Sequence, residues 1–549
     1  MVLGLGLCAL VLAASFTGVY VGTLFIAWNK AFFDALQKVA FDETVRQVGV
    51  FFILISCSAA LFLIGQYLRK LVYIRWRRRL NGIVLDAWLE NQTYWRLQPG
   101  ILGQLADNPD QRIAEDCRMF VDKLLELSIE LITRVVALVT FLWVLWELSS
   151  FPLTFSVFDT QVVIPRYMVW AAFLYVALSS LLTHMLGAPL KNLLFLQQRR
   201  EADYRFALAR MRDFSDEIAL ARGEAAERRI FDQRFSEIVA NWHSVITREF
   251  ILGCFTRPYF QTVLRIPLFL ALPAYLAGQV TLGGLMQIRL AFTNVVTTLS
   301  WFIFNYRELA EWVATTDRLA EMLSCTEHAR ALDSGIKLSE NTLPQLAIAG
   351  LRLTTPQGGP LDVPPDLTIN SGERIWIKGQ SGLGKSTLIK AIAGLWLHGS
   401  GQIKHPPGWR PAFVSQDIYL PLSDFRSAAI YPLEPTSLDQ SQVDTALQRI
   451  GLDLPQTLHC VETPSAPSGL SGGERQRLAF SRLLLSAPDW IFLDETTNAL
   501  DPKSEEQLLQ TLVNELPQTT LVFVSHKPPP AIAGETPWRV IDLERALVD

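Results

Sequence analysis

The chain has 549 residues, 50% hydrophobic and only 19% charged, with a mean hydropathy of +0.24. That apolar excess excludes a disordered chain and argues against a purely soluble one. A formal net charge of −4 with a pI near 6.1 excludes a generally basic nucleic-acid binder. Six scattered cysteines (Cys8, Cys57, Cys117, Cys254, Cys325 and Cys460) with no C-x-x-C pair form neither a disulfide framework nor a zinc module.

Six apolar segments follow one another, near 3–28, 47–68, 124–148, 166–189, 259–279 and 283–305. A helix needs about 20 apolar residues to cross a hydrocarbon core about 30 Å thick, so residues 1–307 are expected to form a six-span helical membrane domain. The first segment lacks a basic flank and reads as an uncleaved membrane helix rather than a signal peptide. It begins inside the apolar run, and an amphipathic segment is expected to precede it.

Lysine and arginine placement sets the orientation. Ten lie between the second and third segments: Arg69, Lys70, Arg75, Arg77, Arg78, Arg79, Arg96, Arg112, Arg118 and, at the edge of the third, Lys123. Twelve more lie between the fourth and fifth, from Lys191 to Arg257. The opposite loops carry Lys30, Lys38 and Arg46, and none over 150–165. Both long basic segments, and the C-terminal half, are therefore expected in the cytoplasm, and positive-inside placement is sufficient to account for the clusters. Helical legs of 30 residues would reach about 45 Å from the bilayer.

Some charges fall inside the apolar segments: Arg134 and Glu147 in the third, Arg265 in the fifth, Arg289 in the sixth. Each costs at least about 2.5–3.5 kcal/mol near the bilayer centre. Two readings stand: they line a hydrated cavity for polar or anionic cargo, or they pair with Glu126 or Glu130 or snorkel to the interface. Beyond the membrane domain, residues 308–345 read as a polar helical linker, and 346–549 as an α/β domain.

Gly379-Gln380-Ser381-Gly382-Leu383-Gly384-Lys385-Ser386 fits G-x-x-x-x-G-K-[ST]. It follows an apolar strand, Arg374–Lys378, and opens a helix at Thr387. Glycines let backbone N–H groups close around phosphates, and a helix N-terminus adds positive potential. Lys385 supplies a charge for the β/γ-phosphates and Ser386 a hydroxyl for Mg²⁺. A second apolar strand, Trp490-Ile491-Phe492-Leu493, delivers Asp494 and Glu495 to the sheet edge where α/β ligands bind. Asp494 suits Mg²⁺ and Glu495 an attacking water.

Leu470-Ser471-Gly472-Gly473-Glu474-Arg475-Gln476-Arg477 resembles the signature motif of ABC transporter ATPases. Gln416 resembles that family's Q-loop glutamine, Asn498-Ala499-Leu500-Asp501 its D-loop, and His526 its switch histidine. The resemblance implies an ATP- and Mg²⁺-dependent hydrolase with a split site. One copy would supply Gly379, Ser381, Gly382, Gly384, Lys385, Ser386, Thr387, Gln416, Asp494, Glu495 and His526. A second copy would supply Ser471, Gly472 and Gly473. Of these, Glu495, His526 and Gln416 would be catalytic, and Ser386, Gln416 and Asp494 would hold the metal. With one ATPase domain per chain, the resemblance implies a homodimer of exporter-type half-transporters in a lipid bilayer. The family's adenine-stacking tyrosine has no match here: the place reads Thr354-Thr355-Pro356, leaving Phe413 or Tyr419 as substitutes.

Asp107-Asn108-Pro109-Asp110-Gln111-Arg112-Ile113 resembles an element of the SbmA/BacA-related and peroxisomal D-subfamily transporters, and Asp216–Leu220 with Gly223, Glu224 and Glu227 their EAA-like segment. As plain local structure these read as a helix cap and a solvated helix face. The branch implies a multi-pass inner-membrane protein carrying a small molecule or peptide: bulky hydrophilic compounds in bacterial relatives, fatty acyl-CoA or lipid in peroxisomal ones. A non-transporting membrane regulator is the remaining alternative.

Overall fold

The computed structural model describes residues 2–98, 101, 109–157, 160–332, 334–380, 382–434, 437–452, 470–531 and 537–543. Two compact units emerge: residues 1–86 with 107–323, and residues 87–106 with 324–549. Asp107, Asn108, Ser381 and Cys460 lie outside the described residues.

The first unit is helical. Helix α1 covers Val2–Gln37 and α2 Phe41–Leu89, which continues through two left-handed residues, Asn91 and Gln92, into α3 (Thr93–Arg96). A short α4 (Pro109–Gln111) passes through a π-helical turn at Arg112–Asp116 into α5 (Cys117–Leu148). Strands β1 (Leu153–Val157) and β2 (Thr160–Ile164) follow. Then come α6 (Tyr167–Asp213), α7 (Ser215–Leu220), α8 (Glu224–Leu276), α9 (Leu282–Leu299) and α10 (Trp301–Ala331). Among the described residues, five helical stretches, containing α1, α2, α5, α6 and α8, are long and apolar enough to cross a membrane. The sixth apolar segment is α9, whose Gln287, Arg289 and Asn294 dilute its hydropathy.

Two expectations need adjusting. The sixth segment, read as continuous over 283–305, is broken: α9 ends at Ser300, whose amide closes on Val296 O, and α10 starts anew. Residues 150–165, expected as a plain loop, carry the antiparallel pair β1–β2, with Leu153 opposite Ile164.

The membrane core forms where helical spacing aligns small and apolar side chains. Ile288, Ala291, Phe292 and Val295 make one buried stripe of α9 and cluster with Ala137, Phe141 and Leu145 of α5. Helix α9 also starts against α1. Asp34 Oδ1 accepts the Gly283 amide at 3.0 Å and Gln37 Oε1 the Leu282 amide at 3.1 Å. These carboxylate and amide oxygens thus cap a helix other than their own. A Cβ at Gly283 would sit 2.3 Å from Lys30 O, so only glycine fits.

A second long-range tie lies at the start of α5. Asp116 is 2% exposed, and Arg318 of α10 grips both its oxygens at 2.8 and 2.9 Å while Arg112 adds a bond at 2.9 Å. Burial pushes this carboxyl up, but the bonds and charges of Arg318 and then Arg112 outweigh it and hold it below the usual carboxylate range.

The second unit is built on a five-stranded sheet, parallel throughout, in the order β12 (Arg539–Asp542), β7 (Arg374–Lys378), β11 (Thr520–Val524), β10 (Trp490–Asp494) and β9 (Pro411–Val414). A smaller sheet holds β3 (Ile336–Glu340), β4 (Gln345–Thr354), β5 (Pro360–Leu361), β6 (Leu367–Asn370) and β8 (Gly399–His405). The helices are α11 (Lys385–Ile392), α12 (Phe425–Ile430), α13 (Gln440–Arg449), α14 (Gly472–Ser486) and α15 (Pro502–Glu515). Strand β11 is buried at every residue, as a parallel strand covered on both faces requires. The segment after α2 belongs to this unit. Arg330 bonds Ala87 O (2.7 Å) and Glu90 (2.8 Å), Arg96 donates to Ala329 O (2.9 Å), and a His398 ring nitrogen donates to Ile101 O (2.7 Å).

Replacing Asp116 with alanine strands the Arg318 and Arg112 guanidiniums, so it should cost about 3–5 kcal/mol. Thermal unfolding in detergent should show the loss. Because this carboxyl is held below its unfolded value, its contribution is present above about pH 4 and fades as pH falls through the folded value. The alanine variant should lack that acid-side loss.

Candidate nucleotide site

The parallel register brings the chemistry together. Ile377 of β7 lies beside Val524 of β11, and Val524 beside Asp494 of β10. The three strands therefore release their chains at one level of the sheet edge. From β7 emerge Gly379 and Gln380, and then Gly382 and Gly384 at φ 90° and 97°, a left-handed region that favours glycine. Gly384 opens α11, which begins with Lys385, Ser386 and Thr387.

Lys385 is buried, and its Nζ donates to Gly379 O at 2.5 Å and Gln380 O at 3.3 Å. It lies 3.4 Å from each ring nitrogen of His526 and 3.9 Å from Glu495 Oε1. His526, two residues past β11, has Nε2 2.9 Å from Glu495 Oε1. The other carboxylate oxygen, Oε2, accepts a bond from Asn498 Nδ2 at 3.1 Å. Glu495 itself sits at φ 52°, an uncommon conformation for a non-glycine residue, and its amide donates to Val524 O. That sharp turn sends its carboxylate towards Lys385 and His526.

Asp494 differs from its neighbour. Burial pushes its carboxyl above the ordinary value; the Ser386 hydroxyl works against this, and the Glu495 charge with it. Its Oδ1 is buried with no hydrogen-bond partner among the described residues. A buried acceptor beside a serine hydroxyl at the phosphate loop is the donor set that Mg²⁺ favours, so these residues fit the metal.

Gln416 lies two residues past Val414, which pairs with Leu493, so it leaves the same sheet edge, exposed. Ser471 caps α14 in a capping box with Glu474. Its hydroxyl donates to Glu474 Oε2 at 2.7 Å and accepts from the Glu474 amide at 3.3 Å. Ser471 and Gly472 are exposed, and a Cβ on Gly472 would meet Ala499 at 3.3 Å. The signature turn thus presents the first N–H groups of a 15-residue helix to the outside. Of the two aromatic substitutes for adenine stacking, Phe413 is stacked on Phe492 (4.8 Å), and Tyr419 stands exposed against Tyr431.

In the sequence Asn498 stands out only as part of the D-loop-like motif. An amide three residues beyond a strand-ending carboxylate is a signal for such a contact, because turns of that span bring the two side chains together.

The C-terminal unit matches the family model described as ABC transporter over residues 364–498, and the membrane unit the model ABC transporter transmembrane region 2 over residues 2–276. The chain is 33% identical over 503 residues to the inner membrane ABC transporter ATP-binding protein YddA of Escherichia coli, covering 91% of this chain and 88% of that one. It is 24% identical to the human lysosomal cobalamin transporter ABCD4, covering 88% and 82%. Its fold matches a bacterial Atm1-family ABC exporter with a TM-score of 0.74, at 16% identity, over 94% of this chain and 90% of that one. The class is therefore that of membrane transporters powered by ATP hydrolysis. The chain belongs to the ABC transporter family, as a fused membrane and ATPase half-transporter of exporter-type fold, related to YddA and the D-subfamily.

Removing the Asn498 amide should free Glu495 Oε2 and blur its aim. A hydrogen bond to a charged group is worth about 1.5–3 kcal/mol. Asn498→Ala should therefore lower kcat for ATP roughly tenfold or more while the ATP KM stays within about twofold. In a Glu495→Gln background the same change should add little.

Proposed function

We propose that the chain works as a two-fold homodimer in a bacterial inner membrane, closing two composite ATP sites to drive bulky hydrophilic solutes, cobalamin- or peptide-like, across the bilayer. Each phosphate loop binds the nucleotide with Gly379, Ser381, Gly382, Gly384, Lys385, Ser386 and Thr387. Glu495 orients and deprotonates the attacking water, His526 holds Glu495, and Gln416 reports on the γ-phosphate side. Ser386, Gln416 and Asp494 would hold Mg²⁺, which neutralises charge developing between the β- and γ-phosphates. The signature turn, Ser471 to Gly473, with Ser471 and Gly472 exposed, offers helix-terminal N–H donors to the nucleotide of the partner copy, so neither site is complete alone.

One observation carries the cargo reading. Asn29 Oδ1, Gln287 Oε1 and Arg289 Nε are buried in the membrane unit with no hydrogen-bond partner among the described residues. Polar atoms left unmatched there are costly and point to a hydrophilic occupant. The carboxylates first considered as partners for the arginines are engaged elsewhere. Glu130 accepts the Trp301 indole at 2.5 Å, and Glu126 lies 3.6 Å from Lys123 and 3.9 Å from Arg69. The likeness to a protein named as a cobalamin transporter supports the same reading, and the inner-membrane relative supports the location. Arginines at Arg134 and Arg289 also suit the phosphates of an acyl-CoA, the second reading.

Two measurements test this. Glu495→Gln should bind ATP, hold a stable ATP-dependent dimer and release phosphate at under about 1% of the native rate, the scale of loss when a general base is removed. Near-native phosphate release would sink the assigned role. In proteoliposomes offered cobalamin, a proline-rich peptide, acyl-CoA or lipid, one of the first two should stimulate ATPase and move across. Arg289→Gln should then cut that stimulated component at least fivefold. Stimulation by acyl-CoA alone would favour the second reading, and turnover with no flux of any compound would make the chain a regulator.

A further inference from the structure

A short run of bonds leads from the wall of the phosphate loop to the segment that follows α2. A Cβ at Gly384 would meet Leu361 Cβ and Val363 Cγ1 at 3.4 Å each, so the β4–β5 hairpin stands against the loop. That hairpin pairs Leu353 with Leu361 and Thr354 with Pro360, and the Gly359 amide closes its tip on Thr355 Oγ1 at 3.0 Å. Glu495 and His526 gather at Lys385 and mark the terminal-phosphate end of the site. The hairpin carries Thr354-Thr355-Pro356, the place where the family's adenine contact falls, and so belongs to the nucleoside end.

The turn between α11 and β8 holds both backbone groups of Thr354. The Thr354 amide donates to His398 O at 3.2 Å, and its carbonyl accepts from Trp396 Nε1 at 3.0 Å. Trp396 and His398 meet edge to face, with ring centroids 5.6 Å apart. The imidazole then reaches away from the hairpin, and its Nε2 donates to Ile101 O at 2.7 Å. Gly399, the next residue, has φ 145°, and a Cβ there would run into Arg352 O of β4. Strand β8 therefore starts hard against β4, which leaves His398 little room to shift independently. On the far side Ile101 is buried, its amide donates to Gln98 O at 3.2 Å, and Thr93 and Leu97 are buried too. Arg96 and Arg330 tie the same segment to the end of α10 instead. A displacement of the hairpin thus has a contiguous path of two hydrogen bonds and one ring contact to a segment continuous with a membrane-crossing helix.

We infer that the Trp396–His398 turn transmits the arrival of the nucleoside end of ATP to the segment after α2, with His398 as the positioning residue. The inference rests on the proposed reading of the phosphate loop as an ATP site. The nucleoside end is singled out because two polar links of the turn go to Thr354. Towards the phosphate helix the turn is held by the Leu395 and Trp396 amides on Lys390 O, at the end of α11 remote from Lys385.

The test follows hydrogen–deuterium exchange of the peptide Glu90–Gln98 in the full-length transporter in nanodiscs, in the Glu495→Gln background so that nucleotide is not turned over. MgATP should slow exchange there by about two- to tenfold, the range that one ordinary hydrogen bond contributes. Magnesium tripolyphosphate, at a concentration that competes ATP off the loop, should leave the rate unchanged. His398→Ala should abolish the ATP effect while the Kd for ATP stays within about twofold. His398→Gln, whose amide nitrogen can stand in for Nε2, should restore it and serves as the check on folding. Trp396→Phe, which keeps a ring but lacks the donor to Thr354, should weaken it. Equal slowing by tripolyphosphate would overturn the inference, because the phosphates alone would then be sensed. An undiminished ATP effect in His398→Ala would also overturn it, and a rate raised equally with and without ATP would reduce His398 to a structural tie. All these outcomes leave ATP binding intact, whereas failure of the parent protein to bind ATP would remove the reading beneath it.

Discussion

The pairing of β7, β11 and β10 is the constraint on which the catalytic half depends. Three parallel strands end level because Ile377, Val524 and Asp494 stand side by side. Parallel strands carry no hairpins, so each must exit into a loop or helix at the same edge. Lys385, Glu495 and His526 converge from exits 110 and 31 residues apart in sequence. Their nearness is a property of the sheet rather than of any local segment. A one-residue slip of β10 would exchange inward and outward side chains and carry Glu495 off the phosphate loop.

Local strain then refines what the sheet sets roughly. Glu495 adopts a left-handed backbone and is held through both oxygens, by His526 and Asn498. In the proposed role of general base, a carboxylate held before substrate arrives would need less reorganisation later. Asp494, one residue earlier, has a buried oxygen unmatched among the described residues instead. Adjacent carboxylates thus acquire different tasks from their surroundings: one tethered by donors, one kept short of them.

What could be read in the sequence divides along physical lines. The apolar runs were legible because a bilayer imposes a length, and the phosphate loop because glycines at fixed spacing are tied to one backbone shape. The break at Ser300 was not, since Trp301, Phe302, Ile303 and Phe304 keep the run apolar past the helix end. The β1–β2 hairpin was hidden because a short connection between spans was read by its lack of charge rather than by its alternation. The Asp116–Arg318 pair joins residues 202 apart, and no local pattern announces it. The signature and phosphate-loop residues were legible as motifs, but the purine side was not, because no aromatic stands at Thr354–Pro356 and Phe413 spends its ring on Phe492.

Helix α9 shows how the membrane half carries polar groups without losing its place. Its apolar stripe, Ile288, Ala291, Phe292 and Val295, is fully packed, and its first turn is fastened to α1 through Gly283, Asp34 and Gln37. Helix association inside a bilayer gains little from apolar burial alone, so close backbone approach at small residues and capped helix ends matter more. With one face and one end secured in this way, Gln287 and Arg289 remain in the span despite a desolvation cost of a few kcal/mol each. The same helix would not hold those residues if Gly283 carried a side chain, because the approach to Lys30 O that lets α1 cap it would close. Tight packing at one end of α9 is therefore the condition for polarity along its length, and that polarity is what the proposed hydrophilic cargo would meet.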